Sequence, residues 1–232
     1  EPLSSLIARA PHARAAVVDL AGETSWWAQL AQRGSLVFAD IGFDETGRWD
    51  PSDLAPLTHC HAFTPNALEA MAYTRTDSPD RAVRALAEMV PLAVVTDGAS
   101  GSYAIDSSTG EEAYCPAVPV TAIDTTGAGD VFAAALVLGT LADWPLEERL
   151  RFGSLCSALA VQQFGGSLAA PGWGDITDWW RSLSAAADGG DLRAAYTRTG
   201  YRFLEGVVPD HPVQGRRRAQ GTFALRSDAG QH

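Results

Sequence analysis

The sequence predicts an α/β domain over residues 1–189, a mostly parallel sheet with helices on both faces and a hairpin at one edge, followed by a partly irregular tail over 190–232. Three observations carry this. Strand-like and helix-like segments alternate from residue 15 to residue 186, the pattern of strands joined by crossover helices. Residues 92–96 are a continuous apolar run without alternation, as in a parallel strand covered on both sides. The chain of 232 residues, 46% hydrophobic and 19% charged, is long and apolar enough to bury a sizeable core.

Each element has a local cause. Residues 15–20 are a short apolar run, Gly22 leads into helical spacing over 23–33, and Gly34 is a helix stop. Residues 36–39 read as the next strand, closing on Asp40 before a polar loop over 44–51. Ala62 and Phe63 suggest a short strand, and Thr64-Pro65-Asn66 opens a helix through Ala72. Ser78-Pro79-Asp80 is a cap and first turn for a helix carrying Ala82, Val83, Leu86 and Met89. Segments 102–106 and 112–115, joined through Gly110, form the edge hairpin. A Gly-rich turn over 124–130 feeds a helix to about Leu141, Pro145 starts a long helix over 146–164, and 176–186 is a last amphipathic helix. Past Gly189 the periodicity weakens.

Composition narrows the chemistry. Seventeen basic against 28 acidic residues give a formal charge of −11, which disfavours nucleic acid or an anionic membrane as a partner. Every basic residue is an arginine, so Walker A, Schiff-base and protein-kinase lysine chemistries are excluded. Cys60, Cys115 and Cys156 have neither metal-site nor disulfide-framework spacing and point to a reducing, cytoplasmic setting. The longest apolar stretch, 131–142, is too short to span a bilayer, and the N-terminus does not read as a signal peptide. His59-Cys60-His61 is a weak metal motif because neighbours in a strand point to opposite faces; a buried Cys60 is the better reading. Trp26-Trp27 and Trp179-Trp180 suit packed helix faces, and Arg216 to Arg218 a solvated run.

The most informative segment is Asp124-Thr125-Thr126-Gly127-Ala128-Gly129-Asp130, directly before an apolar helix. Glycines at 127 and 129 let main-chain N–H groups approach a ligand closely. At a helix N-terminus those groups lack intrahelical partners and sit at the positive end of the macrodipole, which makes Gly127, Ala128 and Gly129 a candidate anion hole for a phosphoryl group. A carboxylate at Asp130 lies in the same field, so a substrate hydroxyl bonded to it can lose its proton as it attacks phosphorus. The bland alternative is a well-capped helix.

Together with Ala134, Ala135, Leu136 and Val137, that segment resembles the second signature of the ribokinase-like, or PfkB, carbohydrate kinases. Thr64-Pro65-Asn66-Ala67-Leu68-Glu69 resembles the family's Asn-x-x-Glu motif, and 94–101 its strand and glycine turn under ATP. An ordinary helix N-cap and a β-turn are the plain readings of those two segments. The resemblance runs from about Ala15 to Ile176 and implies a three-layer ribokinase-like fold. It implies ATP and Mg²⁺ as cofactors, with nucleotide contacts at Asn66, Thr96, Asp97, Gly98, Ala99, Ser100, Gly101 and Ser154, and Glu69 organising Mg²⁺ through water. It further implies a monovalent cation, K⁺, held through Asp124, Thr126, Ala160, Gln163 and Gly165, although Ala169 stands where a serine is usual.

The family's Gly-Gly sugar motif and β-sheet lid have no counterpart here, and Glu1 in place of methionine suggests a fragment, with a truncated gene product as the other explanation. The expected activity is ATP-dependent phosphorylation of an alcohol on a sugar or related small molecule, by a homodimer in the complete protein. A non-catalytic nucleotide-binding remnant is the competing expectation. A Rossmann oxidoreductase is disfavoured because no G-x-G-x-x-G follows the first strand.

Overall fold

The computed structural model describes residues 3–209. Helix α1 (Leu3–Arg9) precedes strand β1 (Ala15–Asp19), α2 (Trp27–Gln32), β2 (Leu36–Asp40), β3 (Ala62–Phe63), α3 (Ala67–Thr74), α4 (Pro79–Ala87) and β4 (Leu92–Thr96). Strands β5 (Ser102–Asp106) and β6 (Glu111–Cys115) form the hairpin, followed by α5 (Ala128–Leu141), α6 (Leu146–Ala160), α7 (Trp173–Asp188) and α8 (Leu192–Gly200). The six strands form one sheet in sequence order, β1 to β4 parallel and β4, β5 and β6 antiparallel. The expected α/β sheet with an edge hairpin is what the chain forms.

Packing separates the chain into two compact units. One holds residues up to 118 together with 133–154; the other holds 119–132 and the chain from 155 onward. In the first, alternate strand residues serve opposite faces of the sheet. Val37, Ala39, Phe63, Ala93 and Val95 join Trp27, Leu54, Leu57, Leu86 and Val83 in one core. Phe38, Ala62, Leu92 and Val94 are buried on the other face. There the α5–α6 segment meets the hairpin: Arg149 lies 3.6 Å from Asp106, both nearly buried, and the Ser154 hydroxyl lies 3.7 Å from the Cys115 thiol. All three cysteines are free and buried, and desolvation raises their thiols, Cys60 and Cys156 to about 12.

The caps follow the sequence closely. Ser78 accepts from the Arg81 N–H, and Asn66 and Glu69 form a reciprocal capping box at the start of α3. Helix α1 has no counterpart among the expected elements, and three further segments depart from expectation. Residues 51–59 wind into a 3-10 helix, opened by Asp50 accepting from the Ser52 N–H, where only a polar loop and its end were legible. Helix α6 stops at Ala160 instead of 164, because the Val161 carbonyl accepts from the N–H groups of Ile123 and Asp124. The expected tail folds as far as it is described: Asp191 caps α8, which packs on α7 and buries Ala194, with Tyr201 and Leu204 buried just beyond. The arginine run 216–218 lies outside the described residues.

Replacing Ser78 by alanine removes the acceptor at the start of α4. Urea unfolding is expected to show a loss of about 1 kcal/mol, and Ser78→Gly a loss of only a few tenths. Equal stability of wild type and Ser78→Ala would contradict the role of that cap.

Candidate functional site

The sequence-predicted residues fall into two groups, one in each unit. The first group lies at the C-terminal ends of the parallel strands β3 and β4, the side on which open α/β sheets present ligands. The Thr96 N–H donates to the Pro65 carbonyl at 3.1 Å, and Asn66 bridges Thr96 in parallel register, so the Asn-x-x-Glu segment and the end of β4 are neighbours. Glu69 is buried, 6% exposed, and its carboxylate accepts from the Asn66 N–H at 3.0 Å. Burial pushes that carboxyl up, opposed by its hydrogen bonding with Asn66. The side chain of Asn66 is exposed; its oxygen is occupied by the Glu69 N–H, and its amide nitrogen takes no partner among the described residues. The plain N-cap reading of Asn66 is therefore correct at this level, and the exposed amide nitrogen is the part able to meet a ligand.

The turn after β4 is held by its own backbone. The Asp97 N–H donates to Gly101, Ser100 to Asp97, and Gly101 to Gly98, leaving Gly98, Ala99 and Ser100 exposed. Gly101 has φ +105°, and a Cβ there would lie 2.2 Å from the Cys115 carbonyl. Only glycine lets the chain turn this close to the hairpin.

The second group surrounds the start of α5. Thr126 and Gly127 turn the chain, Asp124 accepting from the Thr126 N–H at 3.0 Å and from the Gly165 N–H at 3.4 Å. The Thr126 bonds hold the Asp124 carboxyl below the usual carboxylate range. Gly127 has φ +73°, and a Cβ on it would meet the Ser167 nitrogen at 2.4 Å. Its glycine is thus demanded by the close approach of 166–167. Gly129 differs: it is exposed in the first turn of α5, and a Cβ there would meet nothing within 4 Å. Asp130 follows it, exposed and in the same turn. The Ala128 N–H is taken by the Thr125 carbonyl at 3.2 Å, whereas the amides of Gly129 and Asp130 have no partner within the helix and lie at the positive end of its dipole.

Ser154 is buried, 8% exposed, with its hydroxyl against the Cys115 thiol. The cation set is also largely committed to itself. Both Asp124 oxygens accept from main-chain N–H groups, and the Ala160 carbonyl, from a buried residue, accepts from the Gln163 N–H at 3.1 Å. Asp124, Thr126 and Gly165 act here as an internal clamp, and no cation role is assigned to them. Cys60 is buried, and His61 packs edge-on against Phe38 with centroids 5.4 Å apart.

One further contact joins the two helices of this site. The Ser157 hydroxyl of α6 donates to the Ala128 carbonyl at 2.7 Å, tying α6 to the mouth of α5. A serine in a helix that also carries Ser154 gives no sequence signal that would reveal such a partner.

A profile described as pfkB family carbohydrate kinase matches residues 23–172. A ribokinase of Schizosaccharomyces pombe is 35% identical over 136 residues, 53% of this chain and 42% of that protein. A 5-dehydro-2-deoxygluconokinase of Bacillus velezensis is 34% identical over 100 residues, 43% of this chain and 30% of that protein. The chain therefore spans less than half the length of these two relatives. The structure of Arabidopsis thaliana ribokinase complexed with ribose and ATP shares the fold, with a TM-score of 0.61 at 24% identity, covering 72% of this chain and 55% of that one. The matched stretch contains all three motif segments, the capping box, the turn after β4 and the Gly-rich entry to α5, and the chain belongs to the pfkB family of carbohydrate kinases.

Proposed function

We propose that the protein transfers the γ-phosphoryl group of ATP to an alcohol of a sugar or related small molecule. The observation that carries this reading is Gly129. Glycine in a helical turn costs up to about 1 kcal/mol relative to alanine. Neither steric crowding nor a left-handed backbone requires it at this position. A bare backbone there is explained by a ligand that must come within reach of the amides, and an anion is the ligand those amides select.

The chemistry follows from the groups present. The alcohol oxygen attacks the γ-phosphorus while its proton passes to the Asp130 carboxylate. The bond from that phosphorus to the bridging oxygen breaks, and ADP leaves with the electron pair. The N–H groups of Gly127 and Gly129 bear the charge on the phosphoryl oxygens, with that of Ala128 held by the Thr125 carbonyl beside them; in phosphoryl transfer such positioning and electrostatic support supply most of the rate. The exposed amide nitrogen of Asn66 and the turn from Thr96 through Asp97, Gly98, Ala99 and Ser100 to Gly101 are assigned to the nucleotide. Asn66, fixed by Glu69 in the capping box, and Glu69 itself would help hold Mg²⁺, which when bound would supply charge neutralisation for the phosphates. The ribose and ATP of the Arabidopsis structure are consistent with this reading. The acidic charge of the chain argues against nucleic-acid partners, and the reduced, buried cysteines fit the cytoplasm. Among the described residues no helix is long and apolar enough to cross a membrane.

Removing the base should be decisive. In the full-length protein, Asp130→Asn is expected to lower kcat by about 10²- to 10⁴-fold while Mg-ATP affinity, measured by titration calorimetry, stays within a few-fold. Retained turnover, or equal loss of binding and turnover, would overturn the role. Mg-ATP binding by the wild type without turnover on any sugar would favour the non-catalytic alternative. The two glycines should separate fold from chemistry. Gly127→Ala should lower stability by more than about 1 kcal/mol, since an L-residue is strained there and has no room. Gly129→Ala should leave stability equal or raised by up to about 1 kcal/mol, yet cut turnover at least about tenfold. Thermal unfolding and ADP release measure the two effects.

A further inference from the structure

We infer that Ser157 is a positioning residue for phosphoryl transfer, acting through the Ala128–Gly129 peptide; this rests on the kinase reading of α5. The Ser157 hydroxyl donates to the Ala128 carbonyl at 2.7 Å across 29 positions of sequence. That carbonyl and the Gly129 N–H belong to one peptide group, and the Gly129 N–H is one of the amides left without a helical partner at the start of α5.

The direction of this hydroxyl is unusual within the molecule. A serine or threonine inside a helix commonly turns its hydroxyl to the carbonyl four residues back in its own helix. Thr140 does so to Leu136, Thr177 to Trp173, Thr199 to Ala195 and Thr74 to Ala70. Ser157 instead reaches out of α6 to the first residue of α5, next to the bare amide of Gly129. The result is a three-membered chain: hydroxyl to carbonyl, across the peptide, and N–H to a phosphoryl oxygen.

Two physical effects follow. A carbonyl that accepts an additional hydrogen bond polarises its peptide and makes the N–H on the other side a stronger donor. The same bond fixes the plane of the peptide, so the donor is aimed before the reaction begins rather than reorganised during it. Both effects grow with the charge on the phosphoryl oxygens and weigh on kcat more than on ground-state binding.

The test uses the full-length protein and has two readouts. In the unliganded chain, Ser157→Ala should shift the Gly129 amide ¹⁵N and ¹H resonances upfield, and Ser157→Thr, which keeps the hydroxyl, should return them. In turnover, Ser157→Ala should lower kcat by about three- to tenfold, the worth of one hydrogen bond. The KM values for Mg-ATP and for the acceptor should stay within about twofold, and Ser157→Thr should restore kcat. An unmoved Gly129 resonance in Ser157→Ala overturns the proposal. So does a lowered Tm with unchanged kcat, the behaviour of a structural tie alone. If the wild type and Asp130→Asn are equally inactive on every sugar, the kinase reading has failed, and the Gly129 resonance still decides whether the hydroxyl polarises that peptide.

Discussion

The approach of the Gly127 backbone to residues 166–167 leaves no space for a single methyl group, and the second unit is organised around it. Two segments some forty positions apart are brought to main-chain contact. The contact is locked by the Asp124 carboxylate on the Gly165 N–H and by the Val161 carbonyl on Ile123 and Asp124. Those bonds end α6 and begin α5. Asp124 and Val161 take the N–H groups of Thr126, Ile123 and Asp124, and the Thr125 carbonyl takes that of Ala128, so those of Gly127 and Gly129 remain at the mouth of α5. An anion-binding cup is what is left over when this junction closes.

Fold and chemistry divide the motif between them residue by residue. Gly127 and Gly101 are glycines for the sake of the backbone: each has positive φ and sits against another main-chain segment. Gly129 has no such justification, which is why it speaks for a ligand. Asn66 and Glu69 do two jobs at once. Their capping box satisfies both ends of a reciprocal pair, and the same bonds hold Asn66 at the end of β4 with its nitrogen exposed. A helix cap and a binding group are here the same side chain with its two polar atoms assigned differently.

Most of the first unit was legible because its signals are local. The uninterrupted 92–96 run, the Ser78-Pro79-Asp80 cap and the alternating hairpin each fix an element without knowledge of its neighbours. The Gly-rich entry to α5 was legible for the same reason. What escaped depends on partners distant in sequence. The 3-10 winding of 51–59 contains Pro56 and lacks helical apolar spacing. The early end of α6 is imposed by Ile123 and Asp124, far upstream. Ser154 lies on the same helix as Ser157, and nothing in the sequence tells that one is turned to a buried thiol and the other to the α5 carbonyl. Helix α8 could have been found from Asp191, a good cap, but its apolar residues fall too sparsely to show a period.

The buried cysteines give the chain a built-in reporter. Cys60 sits in the sheet core, Cys115 ends the hairpin and Cys156 lies on α6, and burial keeps every one of these sulfurs in its unreactive, protonated form. Alkylating reagents, which are attacked by the thiolate and not by the thiol, will therefore pass over the native protein and mark it wherever it opens. Pulse labelling followed by peptide mass analysis can thus read local opening at three places independently.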